Sequence, residues 1–245
     1  GHFATTRLVL DYLGCVKKNF PFLDAPAVAL ALVLPKHLGG PISATVSGLT
    51  ELSFRLDIPR SKADYVFGSL LPGTALSVKQ IAAQFPMPLS LAKIIARIMR
   101  PALMFGLLSF PGHLSQNTLR LCREEDGNNR LVVEGTKAGE LPAIIRRALV
   151  DARLAFSGLG FISFPGIHRV LKPGTAAHSA GALALSGLAD INGAIVNAPG
   201  LYAADSTVLG VLPAKSPTFT IMANATRIGC VIAERIKDTP LQQPT

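Results

Sequence analysis

Two segments in the last third of the chain carry side chains able to do chemistry. The first is His178-Ser-Ala-Gly181, in which an imidazole could take a proton from a substrate near neutral pH. The second begins Gly200-Leu-Tyr-Ala-Ala-Asp205-Ser-Thr and resumes after a loop as Ser216-Pro-Thr-Phe-Thr-Ile-Met-Ala. Proline suits the first turn of a helix, so the amides of residues 218–220 would point out of the helix with the positive end of its dipole. Such an end either binds an anion or the negative edge of a reduced flavin, or is capped by Ser216.

Other reaction types lack their sequence patterns. His178, Asp205 and a serine could be drawn as a hydrolase triad, but no Gly-x-Ser-x-Gly elbow is present. Neither a Gly-x-Gly-x-x-Gly fingerprint nor a phosphate-binding Gly-Lys-Ser/Thr loop occurs. The other histidines and the three cysteines have no metal-ligand spacing, so we expect no metal site.

The composition limits the class of protein. The chain has 245 residues, of which 49% are apolar and 16% charged, and this balance excludes a disordered chain. The net charge is +9, but no run of four basic residues and no nucleic-acid motif accompanies it, so we expect no nucleic-acid partner. No secretory signal is visible, which favours a cytoplasmic or peripheral membrane location.

The patterns that must position the site predict an α+β fold with mostly antiparallel strands. Helices are predicted where apolar residues recur with helical spacing: from a cap at Thr5 or Thr6 to Gly14, over 77–108 with proline breaks, over 140–157 and over 218–237. Strands are predicted over 27–34, 43–56, 64–71, 118–122, 130–134 and 201–205. Asp126-Gly127 predicts an exposed hairpin turn between the fourth and fifth of these strands.

Residues 89–111 allow two interpretations. Lys93, Arg97 and Arg100 interrupt the apolar sequence and share one helix face, while Leu91, Ile94, Ile95 and Ile98 fill the other. The helix could pack on a core through that apolar face. It could instead lie on an anionic membrane surface.

The stretch from His178 to Ile236 resembles the C-terminal region of the glucose-methanol-choline (GMC) oxidoreductases. That family carries His-x-x-Gly-Thr, then Gly-Leu-Tyr-Val-Ala-Asp-Ala-Ser, then Asn/His-Pro-Thr-x-Thr-Ile-Met-Ala, in the order and spacing of the segments quoted above. A weaker resemblance covers Gly1 to Gly14, which is similar to the second signature of the family. Leu23-Asp24-Ala25-Pro26 is similar to the Asp-His-Pro that follows that signature.

This resemblance implies a domain organisation and a cofactor. Residues 1–35 and 186–245 would belong to a flavin-binding domain, and residues 36–185 would form a substrate-binding domain with an antiparallel sheet and flanking helices. FAD would be bound by Ala204, Asp205, Ser206, Pro217, Thr218 and Phe219. The family's dinucleotide fingerprint precedes the second signature, so the FAD-cradling N-terminal half would be a partner in cis or in trans.

The implied activity is oxidation of an alcohol, with His178 as the general base and hydride passing to flavin N5. Ser216 stands where the family has His or Asn, and its hydroxyl would position the substrate. The apolar residues 89–111 favour a hydrophobic alcohol. Two alternatives stay open: a lyase of the hydroxynitrile type, and a non-catalytic membrane-surface or assembly subunit that uses residues 89–111.

Overall fold

A computed structural model describes residues 1–42, 52–59, 61, 63–125, 127–136, 139–163 and 167–238. The helices are α1 (His2–Tyr12), α2 (Val78–Ala82), α3 (Leu89–Met99), α4 (Leu141–Gly158) and α5 (Thr218–Asp238). The strands are β1 (Asn19–Asp24), β2 (Ala27–Val33), β3 (Leu52–Asp57), β4 (Tyr65–Pro72), β5 (Leu103–Ser109), β6 (Asn117–Arg123), β7 (Asn129–Glu134), β8 (His168–Val170) and β9 (Ser179–Ala180). The chain is thus a mixed α+β protein, and all hydrogen-bonded neighbours among these strands are antiparallel.

The chain divides into two compact units. Unit 1 contains Gly1–Ala25, Pro111–Ala138 and Lys172–Thr245, and unit 2 contains Pro26–Phe110 and Gly139–Leu171. These bounds differ from the division at residues 35/36 and 185/186 that the resemblance implies. The assignment of flavin-binding and substrate-binding roles to parts of the chain stays a prediction.

Unit 1 is built on a four-stranded sheet in the order β7-β6-β1-β9. Phe20 and Phe22 of β1 and Leu119 and Leu121 of β6 are buried against Leu10 of α1. The predicted hairpin is confirmed by the antiparallel pairing of β6 with β7, and Gly127 at its end is exposed with φ 81°. Asp126 lies outside the described residues.

Helix α1 ends as its sequence predicts but begins earlier. Gly14 adopts φ 63°, its amide donates to the Asp11 carbonyl, and the Cys15 amide donates to the Leu10 carbonyl. This Schellman arrangement satisfies carbonyls that the helix would leave free. The predicted cap at Thr5 or Thr6 is wrong, because the helix starts at His2 and both threonines lie inside it.

Unit 2 is built on a five-stranded sheet in the order β3-β4-β5-β2-β8. The predicted strand over 27–34 is confirmed as β2, and that over 64–71 as β4. The strand predicted over 43–56 is described only from Leu52, as β3; residues 43–51 lie outside the described residues. Because β6 and β7 belong to the other sheet, the strands between residues 36 and 185 do not all lie in the one sheet that the resemblance implies.

Two sequence predictions are wrong in element type. Residues 103–108 were expected to be helical, but β5 lies between β2 and β4 in the middle of the sheet. A short apolar run between prolines, here Pro101 and Pro111, does not distinguish strand from helix by its periodicity. The strand predicted over 201–205 is reduced to a single bridge from Tyr202 to Ala194.

The bounds of helices α4 and α5 agree closely with those predicted from the sequence. The apolar face predicted for α4 is buried, including Ile145, Ala148 and Ala152. Helix α5 runs from Thr218, as predicted. Of the apolar residues that recur along it, Ile228 is buried, while Met222 and Ile236 are exposed.

Candidate functional site

The structure brings the His178 segment beside the Asp205 segment within unit 1. The Gly181 amide donates to the Ser206 carbonyl over 2.9 Å, and the Leu183 amide donates to the Thr207 carbonyl over 3.0 Å. Gly181 has φ 84°, a left-handed conformation that a side chain would strain, so glycine suits this position, where the backbones of the two segments meet. The two segments that carry side chains able to do chemistry are therefore neighbours in space.

His178 is half-buried and its backbone is fixed at the edge of the four-stranded sheet. Its carbonyl accepts the Ala25 amide over 3.0 Å. The next two residues form β9, which pairs with Leu23 and Asp24 of β1. The backbone at and just after His178 is thus held against residues 23–25.

Asp205 caps a short 3₁₀ helix, Ser206–Val208, rather than ending a strand. Its Oδ1 accepts the Thr207 amide over 2.9 Å and the Thr207 hydroxyl over 2.6 Å. Its Oδ2 accepts the Thr5 hydroxyl of α1 over 2.7 Å, a contact between residues 200 positions apart. Burial alone would raise the pKa of Asp205, but the hydrogen bonds from Thr207 and Thr5, with a smaller contribution from His2, lower it below 3.8.

His2 lies beside this carboxylate at the start of α1. It is buried against the rings of Phe3 and Phe22, at centroid distances of 5.0 and 5.8 Å. Burial lowers the pKa of His2 to about 4, although Asp205 and the Ala180 backbone oppose the shift, so the ring is neutral at pH 7. No hydrogen bond of ordinary geometry reaches either ring nitrogen within the described residues.

The remaining predicted site residues lie at the start of α5 and around the 3₁₀ helix. Ser216 is exposed, and its Oγ lies 3.1 Å from the Thr218 hydroxyl. Pro217 is buried, and its carbonyl accepts the Ile221 amide as the first hydrogen bond of the helix, so the amides of residues 218–220 precede that ladder. Phe219 is 84% exposed. Near Asp205, Ser206 is buried and Ala204 is exposed.

A mostly apolar groove of about 840 Å³ adjoins Asp205. One wall is α1, with Thr5, Leu8, Val9, Asp11 and Tyr12, and the other is the loop 199–202. Its volume is within the range of small-molecule and cofactor sites. Thr5 both lines this groove and donates to Asp205, which is not itself in the lining, so Thr5 links the groove to the carboxylate.

Asp24 is a buried carboxylate to which the sequence analysis gave no role. Its Oδ2 accepts the Gly174 amide over 2.7 Å and the Asn117 side chain over 3.3 Å, and its own amide donates to Ser115. Burial raises the pKa of Asp24, against the opposing effect of its partners Gly174, Ala176 and Asn117. The sequence feature that could have indicated this role is an aspartate directly after the apolar residues 20–23, because a buried aspartate is almost always paired.

Asp24 therefore ties β1 and β6 to the loop before His178. Gly174 lies four residues before His178, and Asp24 itself pairs with Ser179 immediately after it. No group of three or more His, Cys, Asp or Glu residues is placed to hold a metal ion in the described part of the chain.

No protein-family model and no curated protein matches the chain. The resemblance to the GMC oxidoreductases accordingly rests on the sequence motifs alone.

Proposed function

We propose that this chain is the C-terminal portion of an FAD-dependent oxidoreductase that oxidises an alcohol. The observation that carries the proposal is the hydrogen bond from Thr5 to Asp205. It joins the segment similar to the second GMC signature to the segment similar to the Gly-Leu-Tyr-Val-Ala-Asp motif. Residues that resemble one family's flavin site in separate parts of the sequence thus lie together in unit 1.

Several groups of this chain fit the proposed cofactor. The Asp205 carboxylate already accepts three hydrogen bonds from Thr5 and Thr207, so it is suited to shaping the loop rather than to binding a diphosphate. Backbone amides of Ala204, Asp205 and Ser206 are then the groups of this loop that would hold the cofactor. The buried His2 ring, with no hydrogen bond of ordinary geometry, supplies a further polar group next to them.

The start of α5 supplies a positive electrostatic potential. The amides of Thr218 and Phe219 precede the first intrahelical hydrogen bond, and the helix is 21 residues long. Its dipole would stabilise negative charge on a flavin edge placed before Pro217. When bound, the flavin supplies the hydride acceptor for the reaction.

His178 is the proposed general base. Its half-buried imidazole would take the proton from the substrate hydroxyl, while the hydrogen bond to the His178 carbonyl and the pairing of β9 fix the backbone that carries the ring. Ser216 would position the same hydroxyl, because a serine side chain can donate or accept a hydrogen bond but is no base at neutral pH.

The test is turnover of the assembled flavoenzyme with an alcohol and an electron acceptor. We expect His178→Ala to lower kcat by about 10² to 10⁴ through loss of the general base, with bound FAD unchanged. Ser216→Ala should cost less, and Ser216→Asn should be tolerated. His168→Ala, at an exposed position on β8, is the matched control and should leave kcat unchanged.

Anaerobic mixing with the alcohol separates the reaction classes. Bleaching of the flavin absorbance is the expected result for an oxidoreductase. Substrate cleavage without bleaching would indicate a lyase and overturn the proposal. Full turnover by His178→Ala would remove the histidine from its proposed role.

A further inference from the structure

Helix α3 packs against the rest of unit 2 through its small residues and exposes large apolar residues to solvent. Ala92 and Ala96 are fully buried in a cluster with Ile81, Ala82 and Leu103. The exposed fractions of Leu91, Ile94 and Ile98 are 49%, 54% and 51%. Of the four residues on the predicted apolar face, only Ile95 is half-buried, so packing on the core does not account for the other three.

The exposed side chains of α3 form one surface. Leu91, Ile94 and Ile98 are spaced by three and four residues, so they lie on the same side of the helix. Lys93 and Arg97, also four residues apart, are exposed next to them. We call these five residues the α3 surface.

The loop after β2 extends the apolar part of this region. The Gly39 amide donates to the Ile98 carbonyl at the C-terminal end of α3 over 2.9 Å. Leu38 and Ile42 of this loop are 47% and 45% exposed. Lys36, also exposed, adds another positive charge near the helix end.

The charge on this surface has one sign. The sequence contains no acidic residue between Asp64 and Glu124, a span that includes the whole of α2 and α3. Within the described residues neither Lys93 nor Arg97 forms an ion pair. Arg100 is different, because its guanidinium donates to the Thr74 carbonyl and so contributes to the fold of unit 2.

We propose that the α3 surface docks the protein on an anionic lipid membrane. Leu91, Ile94 and Ile98 would enter the boundary between headgroups and acyl chains, and Lys93 and Arg97 would contact the anionic headgroups. Among the described residues no helix is both long and apolar enough to cross a bilayer. Helix α3 has 11 residues and is about 16 Å long, about half the thickness of the hydrocarbon core, so it would lie in the interface plane. The proposal does not depend on the flavin.

The charges favour lipid over a second copy of the chain. A symmetric dimer through the α3 surface would bring the Lys93 and Arg97 side chains of two copies close together. Like charges at an interface oppose association, whereas an anionic membrane neutralises them.

The test is co-sedimentation of the 245-residue chain with phosphatidylcholine vesicles, with and without phosphatidylserine. We expect binding only when phosphatidylserine is present, and weaker binding as salt is raised. Removing two basic residues with Lys93→Gln/Arg97→Gln should weaken that binding roughly 30-fold. The apolar triple variant Leu91→Ser/Ile94→Ser/Ile98→Ser should abolish it, while circular dichroism and thermal unfolding remain as in the wild type.

The matched control lies on α4 of the same unit, where Val150 and Leu154 are 50% and 66% exposed. Val150→Ser/Leu154→Ser should bind vesicles as the wild type does. Absence of binding, equal binding to both kinds of vesicle, or equal loss in the α4 control would overturn the proposal. So would a dimer in size-exclusion chromatography that the α3 triple variant dissociates, since a second copy would then cover the surface.

Discussion

Two carboxylates of unit 1 show how the surroundings of a residue decide its chemistry. Asp24 and Asp205 are both removed from much of the solvent, which by itself raises the pKa of each. At Asp205 the three donors from Thr5 and Thr207 outweigh burial and lower the pKa. At Asp24 burial outweighs the donors and raises it. The two residues therefore make opposite contributions to the pH dependence of stability.

Asp205 should stabilise the fold above pH 3.8 and lose this contribution as the pH falls through its lowered pKa. Asp205→Ala removes a helix cap and the acceptor for Thr5, and we expect it to lower the free energy of unfolding by about 2–4 kcal/mol near pH 7. Thr5→Val removes one donor and should cost about 1 kcal/mol. Urea unfolding at several pH values measures both. A wild-type advantage over Asp205→Ala that grows as the pH falls would contradict this explanation.

For Asp24 the expected pH dependence is reversed. Because the folded-state pKa is raised, the contribution of Asp24 is greatest below pH 3.8 and is lost as the pH rises through the raised value. The unfolding free energy of the wild type, relative to Asp24→Asn, should therefore fall with rising pH in that window. Asp24→Ala should cost more than Asp24→Asn, since alanine leaves the Gly174 amide and Asn117 without their acceptor. Equal losses in the two variants would show that these hydrogen bonds contribute little.

At the scale of elements, neighbours decided what local patterns left open. Helix α1 and the Schellman turn at Gly14, helix α4 and the β6–β7 hairpin follow from periodicity and turn residues. That β5 is a strand does not follow from periodicity, because its conformation depends on pairing with β2 and β4. The exposure of the apolar face of α3 does not follow from periodicity either, since periodicity identifies an apolar side without showing what covers it.

Gly68 of β4 gives an element-scale prediction. It is the cross-strand partner of Phe54 in β3, and a Cβ at Gly68 would lie 2.1 Å from the Phe54 ring. That ring is also packed edge-on against Phe156 at a centroid distance of 5.3 Å. Gly68→Ala must displace it, and we expect a loss of about 1–3 kcal/mol in the free energy of unfolding.

Gly229 of α5 is the control for this substitution. Apart from the neighbouring backbone of the helix itself, no heavy atom lies within 4 Å of a Cβ placed there, so Gly229→Ala should stabilise the protein by up to about 1 kcal/mol through helix propensity. Chemical denaturation of the two variants side by side measures both effects. A neutral Gly68→Ala would mean that the Phe54 ring moves without cost.

At the scale of the whole molecule, the proposed function predicts that cofactor binding needs more than these 245 residues. The sequence contains no Gly-x-Gly-x-x-Gly fingerprint to hold a dinucleotide diphosphate. The chain alone should therefore bind FAD weakly or not at all. Adding a flavin-binding N-terminal half in trans should restore the yellow colour, which absorbance and ultrafiltration would measure. Tight stoichiometric binding of FAD by the chain alone would contradict this prediction.

The sequence by itself determined the features that depend on near neighbours in the chain. These are the α+β class, most helices and the hairpin, because caps, turns and periodicity act over a few positions. The candidate residues from His178 to Phe219 rest on the family resemblance and stay a prediction. Only the tertiary structure joined Thr5 to Asp205, buried Asp24 beside the His178 loop and left the large side chains of α3 exposed. Such contacts depend on which surfaces pack together in the folded protein. A contact between residues 200 positions apart produces no local sequence pattern from which it could be predicted.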